Sequence, residues 1–476
     1  MSVTIRPTTK DAYRLFHDGS LALAECEFNG IRTDREYCQR MSANLDRQVQ
    51  SLGARMLDTE LGKAWKARFP SPTWGNDHQL RKVIYDDLGI EAKSYTSGGK
   101  KHGKSNTPST KAEVLQGMSV GGIDIMLRIR TTDKLSTGLK GLLRESEADG
   151  MIHPFFHLSG YGDDKDGGAR SFRGSSSDPN FQNFANRHEN ERKTIRRALL
   201  PRPGHRIVGR DYGGIEVKIS ACNHQDLNMI RYLESGDDMH RDVAAMCFML
   251  PVEQCTKKYG EYGKNVRFAG KNSFTFAQFY FQEPENTAKG LWRSIADLDL
   301  RYPKDPEKRM LDHLKDKKIR NFDAFSGHIK KVCERFWRDM FPGYGAWRDR
   351  WIADYQKNGY FDTLTGFRVE GVMSKYQLGN YPIQGPAFHC LLWSMIQVHR
   401  LWEKRREDGW KSLLIGQIHD ELTTDEEEQE FWKSQDEVPK IMAEDIRKEW
   451  DWIIVPLEVE TDATSIDGNW YEKKGI

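Results

Sequence analysis

HRIVGRDYGGIEVKISACN, at residues 205–223, is the stretch of sequence that decides the fold. An apolar run leads up to Asp211, two glycines interrupt it, and an apolar helical spacing begins at Ile215. This order predicts a strand that ends near Asp211, then a glycine turn, then a helix. The stretch therefore places a carboxylate where a buried strand meets a turn.

A second stretch, SLLIGQIHDELTTD at residues 412–425, repeats that arrangement far along the chain. Its apolar runs predict two strands joined by a tight turn, and the turn carries Asp420 and Glu421. Because Asp211 also lies at the end of a predicted strand, strands of one sheet can bring the two aspartates together.

Adjacent carboxylates are unfavourable unless a proton or a cation lies between them. Mg²⁺ prefers oxygen ligands and binds through few carboxylates together with substrate phosphates. Two such ions ~4 Å apart can activate an attacking hydroxyl and stabilise a leaving pyrophosphate. The alternative is that Asp211 and Asp420 are ordinary turn residues, since turns favour aspartate. Taken singly, each aspartate fits the alternative better.

A helix between these sites adds positive charge. In VRFAGKNSFTFAQFYF, residues 266–281, Arg267 and Lys271 are four apart and project from one face. Two cations on a face that continues into aromatic residues suit a triphosphate and a stacked base. An amphipathic surface helix is the alternative interpretation.

A Gly/Ser/Lys loop, SYTSGGKKHGKSNTPST at residues 94–110, carries Lys100, Lys101 and Lys104. Such a loop between helices is either a solvated tip or a tip that contacts phosphates. Surface lysines are common, so residue type alone favours the solvated tip.

The rest of the chain predicts an α+β protein in which a helical insertion interrupts one sheet domain. Its 476 residues suggest two to four compact units. Helices are expected over 11–66, 225–350 and 425–450, with a charged insertion at 283–325 and a helix that follows Gln384 and contains Pro386 near its start. Strands are expected within 150–210 and 453–464, and a hairpin at 359–371.

Composition limits the class of protein. Charged residues make up 30% of the chain and hydrophobic residues 38%, and no stretch approaches the ~20 apolar residues of a membrane span. The N-terminus has no secretion signal, and the seven cysteines form no C-x-x-C pair, so we expect free thiols and a cytoplasmic protein. The net charge of +2 does not by itself indicate a nucleic-acid partner.

Taken together, the motifs resemble those of the family A DNA polymerases, and the resemblance runs from about residue 20 to the end. DYGGIE at 211–216 resembles the first catalytic motif, and QIHDE at 417–421 is similar to the second metal-binding turn. RGSSSDPNFQN at 173–183 resembles the segment that contacts primer and template. TLTGFR at 363–368 and NYPIQG at 380–385 also match in order.

The resemblance implies a role for each matched residue. The implied catalytic residues are Asp211, Asp420, Glu421 and Lys271, and the implied metal ligands are Asp211, Asp420 and the main-chain carbonyl of Tyr212. The implied dNTP contacts are Arg267, Lys271, His240, Phe276, Tyr280 and Glu216, the last of which would block a ribose 2′-hydroxyl. The implied DNA contacts are Arg173, Asn183, Arg187, Gln384, His419, Lys100, Lys101 and Lys104.

One departure concerns the aromatic residues after Lys271. The family usually has an aromatic residue four positions after the lysine and a tyrosine eight after it, but Thr275 and Phe279 stand there. The F-x-x-x-Y spacing is present one residue later, as Phe276 and Tyr280. A one-residue π-bulge between Lys271 and Phe276 would return both rings to the binding face, and we favour it. The alternative is that Thr275 faces the sugar.

The resemblance implies a right-hand fold and template-directed DNA synthesis. The helical thumb would be residues 1–150, the antiparallel-sheet palm 151–225 and 345–476, and the helical fingers 226–344. The cofactors would be two Mg²⁺ ions, with Mn²⁺ as an alternative. The partners would be primer–template DNA and dNTPs, with a separate exonuclease or processivity factor. We expect a monomer, no membrane association, and a phage-type enzyme.

Proofreading is not expected of this chain. Only 20 residues precede Leu21, where the thumb-like segment begins, whereas a domain needs at least ~50 residues. Two rivals remain: a single-subunit RNA polymerase, against which Glu216 argues, and a non-catalytic DNA-binding relic of the fold. Retention of Asp211, Asp420 and the Arg267/Lys271 helix argues against the relic.

Overall fold

A computed structural model describes residues 7–92, 94–96, 107–158, 169–184 and 189–476. Lys100, Lys101, Lys104 and Arg187, all predicted to contact DNA, lie outside the described residues.

A five-stranded antiparallel sheet forms the centre of the molecule. Its spatial order is Leu413–Ile418, Glu421–Glu427, His205–Tyr212, Val459–Ala463 and Lys474–Gly475. The strand predicted to end near Asp211 is the middle one, and the predicted turn and helix follow it. In the register Asp211 lies opposite Glu421 on one side and Glu460 on the other. The sheet therefore places the two carboxylate-bearing turns at the same edge.

The other described strands form a smaller three-stranded sheet and several two-stranded pairs, and every pairing among the described strands is antiparallel. The three-stranded sheet joins Met151–Ile152, Ile31–Thr33 and Leu199–Leu200. The two-stranded pairs are Tyr95–Thr96 with Thr107–Pro108, Phe155–His157 with Ser175–Ser177, Arg301–Tyr302 with Asp305–Arg309, and Tyr360–Asp362 with Arg368–Glu370. The last pair is the hairpin predicted at 359–371.

Helices make up most of the remainder, as the predicted α+β class requires. The α-helices are Thr9–Asn29, Arg35–Met56, Glu60–Arg68, Asp77–Arg81, Ala112–Gln116, Ile123–Glu145, Glu189–Arg196, Ile215–His224, Leu227–Glu234, Met239–Phe248, Gly260–Ala269, Phe276–Phe279, Pro284–Asp297, Met310–Asp316, Phe322–Arg335, Pro342–Asn358, Lys375–Arg406, Phe431–Lys440 and Ile446–Glu449. Four π-helical turns occur at Lys82–Asp87, Gly270–Thr275, Phe336–Met340 and Ile441–Asp445. Short 3₁₀ turns are Phe181–Asn183, Val252–Cys255, Lys257–Tyr259 and Trp470–Glu472.

The long helix Lys375–Arg406 corrects one expectation, because it begins eleven residues before Pro386 and contains Gln384. A capping box between Ser374 and Gln377 starts it. Pro386 has no N–H, so the Pro382 carbonyl loses its helical donor. The side chain of Asn223 donates to that carbonyl instead, at 3.0 Å. A neighbouring helix thus compensates for a proline that residue pattern alone places near a helix start.

The C-terminal expectations also needed correction. The strand after the Asp420 turn continues to Glu427, and the following helix begins only at Phe431. The strand predicted within 453–464 begins only at Val459 and ends at Ala463, so residues 453–458 are not part of it.

Apolar packing joins the sheet to the helices. The largest core cluster includes Tyr212 and Leu422 of the sheet, Phe388 of the long helix, and Phe274 and Phe336 of the helical region. All seven cysteines are buried free thiols, as predicted. Within the described ranges, no helix combines the length and the apolar character needed to cross a bilayer.

Candidate active site

Asp211 and Asp420 meet at one edge of the central sheet. Their carboxyl groups are hydrogen-bonded to each other, and the Tyr212 N–H donates to the Asp420 carbonyl at 3.3 Å. Enclosure by protein, together with the charges of Asp420 and Glu421, raises the pKa of Asp211 to about 8. Burial also raises the pKa of Asp420, although Arg173 and Lys271 act in the opposite direction. Two carboxylates this close are unfavourable when both are charged, so a cation between them would stabilise the pair.

This pair fits a divalent metal by its chemistry. The donors are hard carboxylate oxygens, and Mg²⁺ needs only one or two of them when substrate phosphates supply the rest. Among the described residues no group of three or more His, Cys, Asp and Glu side chains converges on one point.

Glu421 lies beside the aspartates but has its own partner. Its carboxylate accepts a hydrogen bond from the Lys473 ammonium at 2.6 Å, and both side chains are largely buried. Lys473 offsets the charge of Glu421, and its own charge lowers the pKa of Asp211. Lys473 is a site residue that the sequence did not indicate, because it lies directly before the last strand, 52 residues after Glu421. A catalytic role for Glu421 stays a prediction.

The cleft next to the aspartates brings together residues from four distant segments. Arg173, Glu216, Gln384, His419 and Asp420 line it, over the apolar floor of Ile215, Ala387 and Phe388. Burial and Asp420 raise the pKa of Glu216, while Arg173 and Lys271 lower it. Glu216 also forms a hydrogen bond with Tyr280, whose hydroxyl accepts from the Gln384 amide at 3.3 Å.

His419 occupies the turn between the two strands with a φ of +60°. A non-glycine residue in the left-handed region is uncommon and needs support from its surroundings. The turn thus places both His419 and Asp420 at the cleft, and the contact of His419 with DNA stays a prediction.

The cationic helix contributes Arg267 and Lys271. Arg267 forms a two-point ion pair with Asp238, with Nε–Oδ2 and Nη2–Oδ1 distances of 2.5 and 3.0 Å. Asp238 also caps the helix that begins at Met239 by accepting from two main-chain N–H groups. This cap places His240 next to the two cations. Asp238 was not predicted to be a site residue.

His240 is neutral in this setting. Burial, followed by the charges of Lys271 and Arg267, lowers the pKa of His240 to about 4. Its Nδ1 lies 3.3 Å from the Thr275 hydroxyl, and its ring meets the edge of Phe276 at a centroid distance of 6.0 Å. A neutral imidazole can donate one hydrogen bond without adding charge.

The register after Lys271 is the predicted one. A π-helical turn covers Gly270–Thr275, which confirms the one-residue bulge. Phe276 and Tyr280 are stacked, with centroids 6.3 Å apart and ring planes at 12°, and both remain partly exposed. The alternative is wrong, because Thr275 and Phe279 are buried at 0% and 3% exposure.

The Lys271 ammonium lies 5.5 Å from the centroid of the Phe276 ring. The exposed ring of Tyr376 meets Tyr280 edge-on at 5.4 Å, so it adjoins the site without having been predicted there.

Two other predicted residues lie outside the cleft lining. Asn183 is exposed in a 3₁₀ turn, and its contact with DNA stays a prediction. The Tyr212 side chain is buried in the core, where its hydroxyl donates to the Met442 carbonyl at 2.8 Å, so only its main chain could serve a metal.

Comparison with known sequences identifies a family match over most of the chain. The sequence profile described as "DNA polymerase family A" matches residues 35–289 and 326–472. The unmatched segment 290–325 falls inside the charged stretch predicted to be an insertion at 283–325.

Among curated proteins, the chain is similar to the DNA polymerases I of two bacteria. It is 26% identical to that of Chloroflexus aurantiacus over 467 residues, which covers 94% of this chain and 42% of the relative. It is 25% identical to that of Geobacillus stearothermophilus over 469 residues, covering 95% and 45%. The chain thus spans less than half the length of these relatives.

Among solved structures, the chain is similar to the POL domain of Pol1 from M. smegmatis in complex with DNA primer-template and dNTP. The TM-score is 0.70 at 21% identity, and the match covers 96% of this chain and 70% of that chain. The predicted polymerase-type α+β fold is therefore confirmed.

Proposed function

Because this chain belongs to DNA polymerase family A, we propose that it extends a primer 3′-hydroxyl with dNTPs along a DNA template and releases pyrophosphate. One observation carries the proposal: Lys271 lies close enough to Asp420 and Glu216 to lower the pKa of both. The cationic, aromatic helix and the paired aspartates therefore face one cleft. The relatives named DNA polymerase I and the solved POL domain with primer-template and dNTP support the same activity.

Asp211 and Asp420, with the main-chain carbonyl of Tyr212, would hold two Mg²⁺ ions, or Mn²⁺ in their place. When bound, the ions would activate the primer hydroxyl and offset charge on the departing pyrophosphate. The raised pKa of Asp211 supports this assignment, because a cation beside the aspartates would offset the charge repulsion that contributes to it.

Three side chains would bind the triphosphate. Arg267 uses Nε and Nη2 to pair with Asp238, which leaves Nη1 for a phosphate oxygen. Lys271 would supply a compact positive charge next to the aspartates. His240 would donate a hydrogen bond as a neutral group, since its pKa is lowered to about 4.

The remaining walls of the cleft would bind the base and the sugar of the incoming dNTP. The partly exposed ring of Phe276 would stack on the incoming base. Glu216, buried and hydrogen-bonded to Tyr280, would occupy the space that a ribose 2′-hydroxyl needs. That exclusion favours DNA synthesis over the rival RNA polymerase function.

The duplex would lie against Arg173, Gln384 and His419, with Asn183, Arg187 and the lysines at 100, 101 and 104 farther along it. Arg173 and Gln384 would donate to minor-groove acceptors, which every base pair presents. These contacts would thus test the geometry of the terminal base pairs without reading the base sequence. In this assignment residues 1–150 form the thumb, 151–225 and 345–476 the palm, and 226–344 the fingers.

Several expectations stay predictions: a monomer, a cytoplasmic location, a phage-type origin, a separate accessory factor, and the lack of proofreading. The curated relatives compared above come from bacteria.

Primer extension tests the proposal. Wild-type protein with Mg²⁺ should lengthen a labelled primer, and Asp420→Ala should lower the rate by at least 10³-fold because a metal ligand is lost. Asp349→Ala is the matched control, since its side chain is 78% exposed and lies outside the cleft. A wild-type protein that shifts DNA on a gel but never extends a primer would establish the non-catalytic rival.

A further inference from the structure

A buried chain of hydrogen bonds connects the TLTGFR hairpin to the segment before Arg173. The Thr363 and Thr365 hydroxyls lie 3.1 Å apart, and Thr365 Oγ1 lies 2.6 Å from Nδ1 of His389. Nε2 of His389 lies 2.9 Å from the main-chain carbonyl of Phe172. Thr363, Thr365 and His389 are 3%, 1% and 0% exposed, so water does not compete for these bonds.

The direction of every bond in this chain is determined. A carbonyl can only accept, so Nε2 of His389 carries the hydrogen that it donates to Phe172. Burial lowers the pKa of His389 to about 3, so the ring is neutral and Nδ1 accepts from the Thr365 hydroxyl. Thr365 then accepts from Thr363, which itself accepts from the Phe367 N–H at 3.0 Å. Every side-chain nitrogen and oxygen in this chain of bonds has a partner.

The chain ends on a main-chain position that needs support. Phe172 has a φ of +57°, in the left-handed region that bulky residues rarely adopt. Its N–H donates to the Ala169 carbonyl at 2.9 Å, and its ring packs on Phe367 with centroids 4.9 Å apart. The next residue is Arg173, which enters the cleft.

The long helix approaches this segment unusually closely on both sides of Arg173. A Cβ placed on Gly385 would lie 2.4 Å from the Ser171 carbonyl oxygen, and one on Gly174 would lie 2.6 Å from the Phe388 ring. The main chain around Arg173 therefore has little room to shift while the contacts with His389 persist.

We propose that Thr365 and His389 are positioning residues, which hold the left-handed turn at Phe172 so that Arg173 points at the end of the primer duplex. This inference rests on the proposed function for the contact between Arg173 and DNA. It assigns a task to the TLTGFR hairpin, which lies outside the cleft lining and touches none of the reacting groups. Loss of the hydrogen bonds should release Arg173 while the aspartates stay in place.

Hydrogen exchange in the free protein tests the positioning itself. Thr365→Val keeps the shape of the side chain and removes its hydroxyl, whereas Thr365→Ser keeps the hydroxyl. We expect the amides of residues 171–174 to exchange about tenfold faster in Thr365→Val, since a buried hydrogen bond is lost, and at the wild-type rate in Thr365→Ser. Equal exchange in all three proteins would overturn the inference.

A modified primer tests the consequence for Arg173. Replacing the terminal guanine with 3-deazaguanine removes its minor-groove acceptor. For wild type we expect kcat/KM to fall about 10- to 100-fold, because a hydrogen bond to a charged donor is lost. In Thr365→Val and in Arg173→Ala, 3-deazaguanine should lower kcat/KM by less than about threefold. In Thr365→Ser it should lower kcat/KM as much as in wild type.

The outcomes separate the two proposals. If no protein extends any primer, the proposed function fails, and the exchange rates still decide whether the hairpin holds residues 171–174. If Thr365→Val retains the full 3-deazaguanine effect, the positioning role is wrong while the polymerase function stands. Should Thr365→Val not fold, His389→Phe retains the ring and its packing and should give the same two results.

Discussion

The register of the aromatic residues after Lys271 can be tested with Phe276→Ala. In the structure this ring is partly exposed, is stacked on Tyr280 at 6.3 Å, and lies 5.5 Å from the Lys271 ammonium. In the proposed function, its free face would stack on an incoming base. Stacking of a base on an aromatic side chain contributes about 1–3 kcal/mol.

That energy corresponds to an increase of about 5- to 150-fold in the KM for dNTP, since 1.4 kcal/mol is a factor of ten. Because Phe276 is not part of the buried core, we expect the free energy of unfolding to fall by no more than about 1 kcal/mol. Single-nucleotide addition kinetics at saturating primer–template measure the first quantity, and urea denaturation measures the second.

Phe279→Leu is the matched control, because Phe279 is 3% exposed and packs in the core. It should lower the free energy of unfolding by about 1 kcal/mol and leave the KM for dNTP within twofold. The reverse pattern, with Phe279→Leu raising KM and Phe276→Ala leaving it unchanged, would refute the register and with it the role of the π turn.

Three further predictions concern selectivity and stability. Glu216→Ala should raise ribonucleotide incorporation by about 10²-fold or more, because a half-buried group that excludes the 2′-hydroxyl is removed. Glu216→Gln keeps the size of the side chain and should retain most of the discrimination against ribonucleotides in the same primer-extension assay. Glu426→Gln should lower the free energy of unfolding by about 3–5 kcal/mol, because Arg210 and Glu426 are both 0% exposed and pair at 2.5 Å; a urea midpoint equal to that of wild type would contradict this. The hydrogen bond to Glu25 raises the pKa of His399, whose ring also faces Glu403 and Arg406. The contribution of protonated His399 to stability is therefore complete below the unfolded pKa of about 6.5 and is lost as pH rises through the folded pKa. His399→Gln should therefore be more destabilising at pH 6 than at pH 9, and an equal effect at both would exclude the linkage.

The sequence predicted the site where local pattern determines it. An apolar run followed by an aspartate and glycines defines a strand end, so Asp211 and Asp420 could be placed at one sheet edge before any coordinates. The bulge after Lys271 could also be predicted, because aromatic residues offset by one must be returned to the same face of a helix.

What could not be predicted depends on contacts between distant segments. Lys473 reaches Glu421 only because Val459–Ala463 pairs with His205–Tyr212 and the strand that directly follows Lys473, Lys474–Gly475, pairs with Val459–Ala463. Asp238 pairs with Arg267 across a helix boundary, and no spacing rule relates the two. The long helix was predicted to start too late because proline usually marks a helix start, and the amide of Asn223 that compensates Pro386 lies more than 150 residues away.

The π turn at Gly270–Thr275 also has an evolutionary consequence. One extra residue in a regular helix rotates everything beyond it by about 100°, which would turn both rings of the site away. Here a single wide turn absorbs the extra residue, so the chain can gain or lose an amino acid at this point and keep its binding face. A motif search that demands fixed spacing from the lysine to the aromatic pair will miss such proteins, and deleting one residue within the turn is a natural first step toward rebuilding the usual spacing.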